Sequence, residues 1–175
     1  MSRRTIAIAA ALSVLALGSP LIAARANPLF VQYFNKGVER MNSGNYQGAI
    51  TYYTKAIEIN SQGDSVPYNY RGDAKHKLKD YQGAIADYTK AIEIDPQYAS
   101  AYSNRGIAKA YLKDDQGAIA DYTKALEINP KYSFAYRNRG ITREIVNDFK
   151  GACDDWRKAA DLGDEPSAEW VKKQC

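Results

Sequence analysis

Tyr102-Ser103-Asn104-Arg105-Gly106 stands between two close copies of itself, Tyr68-Asn69-Tyr70-Arg71-Gly72 and Tyr136-Arg137-Asn138-Arg139-Gly140, with successive glycines 34 residues apart. An earlier copy, Tyr33-Phe34-Asn35-Lys36-Gly37, lies 35 residues before the second, and the extra residue falls in the loop Ser61-Gln62-Gly63-Asp64. Twelve residues after each glycine comes an alanine, Ala49, Ala84, Ala118 or Ala152, and each opens an amphipathic stretch such as Ala84-Ile85-Ala86-Asp87-Tyr88-Thr89-Lys90-Ala91-Ile92. A fixed period of this size means stacked supersecondary units.

Glycine inside a helix costs about 1 kcal/mol relative to alanine, so Gly37, Gly72, Gly106 and Gly140 must answer a need for a missing side chain. Close approach of a second helix is that need, with Ala49, Ala84, Ala118 and Ala152 expected against the glycines. Rings fill the space beside the contact: Tyr33, Tyr68, Tyr102 and Tyr136 from first helices, and Tyr53, Tyr88, Tyr122 and Trp156 from second helices.

This pattern resembles the tetratricopeptide repeat family over residues 29–162, with Pro96 and Pro130 at the helix-ending position and Ser61 and Asp164 replacing proline in the outer copies. The resemblance implies an all-α, right-handed superhelix of four helix-turn-helix hairpins at 29–60, 65–98, 99–132 and 133–164. A stacked array exposes an apolar face at its last repeat unless a polar-backed helix covers it. Residues 165–175 are expected to do so, with Trp170 and Val171 turned inward.

Arg71, Arg105 and Arg139 stand where many family members carry an apolar residue, and each is followed sixteen residues later by Asp87, Asp121 or Asp155. The first copy has Lys36 and Tyr52 instead. Joint loss of both partners points to an ion pair across the hairpin. The competing reading is a basic stripe continued by Arg40, Lys75, Lys109 and Arg143. The two cysteines, Cys153 and Cys175, flank the turn Gly163-Asp164-Glu165 about equally, which would bring their sulfurs to one height. They form either a disulfide or, for Cys153 in the column of Ile50, Ile85 and Ile119, a small core residue.

The first 26 residues combine Arg3 and Arg4, an apolar run from Ile6 to Leu17 and the closing Ala24-Arg25-Ala26. They read as a cleaved signal peptide, or else as a membrane anchor through residues 6–24. The protein is therefore expected to be of an exported, bacterial type, reaching a periplasm, a lumen or the exterior, and to meet a membrane only if the segment is kept. Three of the 24 Lys and Arg residues lie in this segment and none of the 20 acids, leaving a nearly neutral remainder. That balance argues against nucleic acid.

The resemblance also implies that first helices line a concave groove. Matching positions place Phe34, Val38, Asn69, Asp73, His76, Ser103, Ile107, Tyr111, Phe134, Arg137 and Ile141 there. Asn35, Asn104 and Asn138 have both donor and acceptor for an extended peptide backbone, or simply solvate the helix surface. The family's carboxylate clamp is incomplete, because Asn69 and Asp73 occupy the places of its Lys and second Asn.

His76 is the only histidine, and no metal-ligand spacing, nucleophile–base pair or phosphate loop accompanies it. No catalysis, cofactor or metal is expected. The expected function is a scaffold that holds a protein or peptide and aids assembly of an exported or membrane complex. A self-associating array through the face around Phe30 and Tyr33 is the alternative, giving a monomer or weak homo-oligomer. Stacking of single-stranded bases on Phe34, Tyr111 and Phe134 ranks below both, since a neutral chain lacks the charge that dominates such binding.

Overall fold

The computed structural model describes residues 27–59 and 63–175. The expected signal or anchor at 1–26, and Ser61 at the helix-ending position, lie outside them. Among the described residues the chain is all helix: α1 (Pro28–Asn42), α2 (Tyr46–Ile59), α3 (Ser65–Lys77), α4 (Tyr81–Ile94), α5 (Ala99–Tyr111), α6 (Asp115–Ile128), α7 (Ser133–Ile145), α8 (Phe149–Asp161) and α9 (Glu165–Gln174). Consecutive helices pack as the hairpins α1–α2, α3–α4, α5–α6 and α7–α8, with α9 laid on α8. First helices of successive hairpins also touch, α3 with α5 and α5 with α7, while second helices make no comparable contact. The stack therefore curves as a superhelix with its first helices inside.

A cap the repeat pattern did not suggest starts each second helix. Asn45, Asp80, Asp114 and Asp148 accept hydrogen bonds from the backbone N–H of Gly48, Gly83, Gly117 and Gly151 at 2.9–3.0 Å. Each satisfies one of the orphan donors of a helix N-terminus. A Cβ on Gly48 would come within 2.9 Å of the Asn45 amide, so this second set of glycines serves the cap and not helix packing. The turn before it runs through Lys79, Lys113 and Asn147, at φ of 64–66° in the left-handed region, where the helical hydrogen-bond pattern ends.

The packing glycines face different partners from those expected. A Cβ on Gly72 would lie 2.6 Å from the Tyr88 ring, and one on Gly106 would lie 2.9 Å from the Tyr122 ring; Tyr53 and Trp156 play the same part for Gly37 and Gly140. The missing side chain thus admits a ring from the second helix, and Ala84 and Ala118, although fully buried, are not the nearest groups. Alanine is small in both directions, but only a flat ring can lie across a glycine and still fill the width between two helices. Between hairpins the layer is Ala91, Ile92 and Ala101, closed by Tyr68, Tyr98 and Tyr102, and its copy is Ala125, Leu126 and Ala135, closed by Tyr102, Tyr132 and Tyr136.

Charges staple the hairpins. Arg71 meets Asp87 bidentately at 2.6 and 2.9 Å, and Arg105 and Arg139 meet Asp121 and Asp155 in the same way. The second basic residue of each copy joins the same carboxylate: Lys75 at 2.7 Å, Lys109 at 2.8 Å and Arg143 at 3.0 Å. The remaining guanidinium nitrogen donates to Thr54, Thr89 or Thr123 of the preceding hairpin, and each Arg lies over its own Tyr68, Tyr102 or Tyr136 ring. Two cations on one buried carboxylate leave a positive excess along this edge. In the first hairpin Lys36 and Arg40 lie over the Tyr52 ring instead.

At the C-terminal end Trp170 of α9 packs on Trp156 of α8, ring centres 5.4 Å apart, and Ser167 is fully buried. The Cys153 and Cys175 sulfurs are paired, with their Cα atoms 5.7 Å apart.

Candidate peptide-binding groove

The inner surface is built on α1, α3, α5 and α7, and the register of each first helix decides what it offers. One column holds Val38, Asp73, Ile107 and Ile141, three apolar residues and one acid. Two cavities open along it and share Ile107. The first, about 370 Å³, lies over α3 and α5 and is lined by Met41, Asp73, His76, Tyr88, Asn104 and Phe134, with Lys77 at its rim. The second, about 330 Å³, is lined by Ile107, Tyr111, Tyr122, Asn138, Ile141 and Thr142 among others.

Several residues expected to meet a ligand are held by the protein itself. Asn69 is buried and accepts from the Asn104 side-chain amide at 3.2 Å, and the same amide donates to Asp73 at 3.0 Å. Ser103, one hairpin later at the register of Asn69, is fully buried, so it offers no groove surface. Arg137 is turned onto the Phe134 ring and pairs with half-buried Asp164 at 2.6 Å, fastening the fourth hairpin to the start of α9. Asn138 donates to the Phe134 carbonyl of its own helix at 2.7 Å, and Asn35 is exposed. An asparagine on a helix can satisfy its amide locally or across a helix pair, and only the helix spacing chooses between these.

Aromatic residues carry most of what remains open. Phe34 packs edge-on to Tyr70 and tilted on Tyr53. His76 stands edge-on to both Tyr81 and Tyr111, which are stacked with ring centres 4.7 Å apart. Tyr111 is 58% exposed and forms the lip of the groove. Burial holds the His76 imidazole below its ordinary range, so it is neutral at pH 7. Sequence reading missed Tyr81, Met41 and Lys77, and took Tyr88 for core alone; a buried tyrosine needs a partner for its hydroxyl, and Asp73 was the unexplained acid facing it.

Asp73 is the distinctive group. The Tyr88 hydroxyl donates to its Oδ1 at 2.8 Å, and Asn104 donates to the same oxygen. Burial nonetheless pushes the carboxyl up to about 6, outweighing the lowering effects of the Tyr88 hydrogen bond and of Lys77. Burial likewise pushes the Tyr88 phenol up, so it remains a donor. Among the described residues no basic side chain forms an ion pair with Asp73, whereas buried Asp87, Asp121 and Asp155 and half-buried Asp164 each hold an arginine.

Stacked helical hairpins with a lined inner groove define a solenoid scaffold. Models of the tetratricopeptide repeat match residues 31–62 and 99–132, and a further TPR repeat model matches 72–114. The chain belongs to the tetratricopeptide repeat family. No curated protein matches it. Among solved structures it is similar to MamA, at 24% identity over 85% of this chain and 86% of that one, with a TM-score of 0.72. It is also similar to the Arabidopsis OM64 TPR domain, at 29% identity, 67% and 96% coverage and a TM-score of 0.65. A third is the first TPR of Spaghetti (RPAP3) bound to the HSP90 peptide SRMEEVD, at 26% identity, 63% and 89% coverage and a TM-score of 0.60.

Among the described residues no helix is long and apolar enough to cross a membrane, and no group of His, Cys, Asp and Glu side chains is arranged to hold a metal ion.

Proposed function

We propose that this chain is an exported, non-catalytic scaffold that holds a protein or an extended peptide segment along α3, α5 and α7, and so brings together parts of an exported or membrane complex. The observation that carries the reading is the pair of adjoining cavities joined at Ile107, whose walls combine apolar side chains with polar groups fixed by intramolecular hydrogen bonds. Preorganised polar groups beside apolar surface suit a ligand whose backbone and side chains must both be accommodated. A peptide-bound solved relative, the RPAP3 domain, supports the mode. Its acidic peptide is a poor guide to the ligand, because Asn69 and Asp73 stand where the carboxylate clamp would need a Lys and an Asn.

Selection of decapeptides from a displayed library by the full chain should enrich a defined set, and Ile107→Lys, which puts a charge at the junction of both cavities, should abolish that enrichment while leaving helicity and melting unchanged. Enrichment of the same peptides by both proteins would refute the groove.

Export is supported by the N-terminal pattern and by the cysteine pair, which suits an oxidising compartment. Closing a loop of this length stabilises by about 3 kcal/mol in the chain-entropy account. Adding a reductant should therefore bring the urea transition of the α8–α9 region, read by Trp156 and Trp170 fluorescence, to clearly lower concentration. A transition that ignores reductant would show that the two sulfurs do not contribute.

A further inference from the structure

Asp73 sits at a register that Val38, Ile107 and Ile141 fill in the other three hairpins, so the superhelix itself does not require an acid there. It faces a cavity of about 370 Å³, and its Oδ1 is held by Tyr88 and Asn104. Among the described residues nothing donates to its Oδ2, and no cation pairs with it. The fold elsewhere treats buried carboxylates differently, giving three of them two cations each. An acid kept in a half-buried wall without a counterion stores a preference for one.

From this placement we infer that the first cavity is a specificity pocket for a Lys or Arg side chain of the bound protein segment, with Asp73 Oδ2 receiving the cationic head and Met41, Ile107 and Phe134 lining the path of its methylene stem. The assignment rests on the groove reading above and gives it a ligand chemistry opposite to that of a carboxylate clamp. A charge-assisted hydrogen bond to a carboxylate in a partly dry site is roughly twice as strong as a neutral one. Long basic side chains also bury their stems along apolar surface while the head stays polar. The raised carboxyl agrees with the geometry, since a bound cation would return Asp73 to its ordinary ionised state. The charged and titratable groups around it are Lys77, His76 and Tyr70 on α3, Tyr53 on α2, Tyr88 on α4 and Tyr98 before α5. Of these Lys77 is the one lysine or arginine; it is exposed, and it opposes the ligand.

The test uses the full chain and four capped pentapeptides with leucine flanks and a central lysine, arginine, norleucine or glutamate, with affinity read from amide chemical shifts. At pH 7 the lysine and arginine peptides should bind about tenfold tighter than the other two, a difference of about 1.4 kcal/mol. Asp73→Asn, which keeps an acceptor for Tyr88 and Asn104, and Asp73→Ile, which copies Ile107 and Ile141, should both remove the preference. Lys77→Gln should strengthen it about twofold, as expected for loss of an exposed like charge. As pH falls through about 6, Asp73 takes up a proton and the preference should fade, while norleucine affinity stays level.

Equal or tighter binding of the norleucine or glutamate peptide would overturn the inference, and so would a lysine preference that survives both Asp73 changes or does not respond to pH. If all four bind equally and Ile107→Lys still blocks them, the groove stands and the cation pocket falls. Failure of all four to bind overturns the pocket, leaving the library selection to decide the groove.

Discussion

Asp121→Asn is expected to destabilise the protein by about 3 kcal/mol, at the lower end of the range for breaking a buried ion pair. The carboxylate is 6% exposed and holds Arg105 at 2.7 Å and Lys109 at 2.8 Å. Losing its charge leaves both cations facing a neutral amide on the inner side of the hairpin. Arg105 and Lys109 keep 17% and 22% exposure, so water compensates in part and the upper end of the range is not reached. Arg105 also donates to Thr89 and lies over Tyr102, which ties the second hairpin to the third. The change should therefore uncouple neighbouring repeats as well as weaken one. Thermal melting should show a drop of several degrees and a broader transition, as nearest-neighbour coupling fails. Replacing Arg105, Lys109 and Asp121 together by apolar residues of similar size should be much milder, because no charge is then stranded. A loss below about 0.5 kcal/mol for Asp121→Asn would show the pair to be a surface ornament, with the energetics of an exposed bridge.

The second large effect concerns Gly106 and Tyr122. Tyr122 is 2% exposed and its ring lies across Gly106. Tyr122→Ala should cost about 3–5 kcal/mol through lost burial and the cavity left behind. Gly106→Ala alone should also destabilise: alanine gains about 1 kcal/mol of helix propensity, but its Cβ would lie 2.9 Å from the ring and overpacking costs about 1–3 kcal/mol. Once the ring is gone, the same Gly106→Ala change should stabilise by about 1 kcal/mol. This reversal of sign, measured by chemical denaturation of the two single variants and the double, separates a steric reason for the glycine from a conformational one. Additive effects would mean that the ring and the glycine do not meet.

The hairpins were legible because their period is local. A 34-residue repeat, aromatic and small residues at helical spacing and prolines after second helices are all consequences of a chain that makes the same two turns four times. Arg71 and Asp87 were singled out as a pair by comparing copies, and they lie 2.6 Å apart. The participation of Lys75 was not legible, since its position one turn further along reads equally well as a free basic stripe. The capping pattern of Asp80 with Gly83 was visible in four copies but passed as part of the general repetition; N-cap chemistry would have found it.

The groove was the harder part. Placing Asn69, Ser103 and Arg137 on first helices is correct as register, yet their accessibility depends on how closely the next first helix approaches. Ser103 is closed over, Asn69 is taken by Asn104, and Arg137 is drawn to Asp164 at the end of the array.

By itself, then, the order of residues determined the element types, their pairing into hairpins and the column each side chain occupies, because these follow from periodicity within one or two turns of chain. Tertiary structure decided what each column faces: a ring against Gly106 in place of an alanine, two cations on Asp121 in place of one, and Asp73 turned toward a cavity with an amide from the next hairpin beside it. Those outcomes depend on distances between helices far apart in sequence, which the superhelical stacking sets and no single repeat encodes.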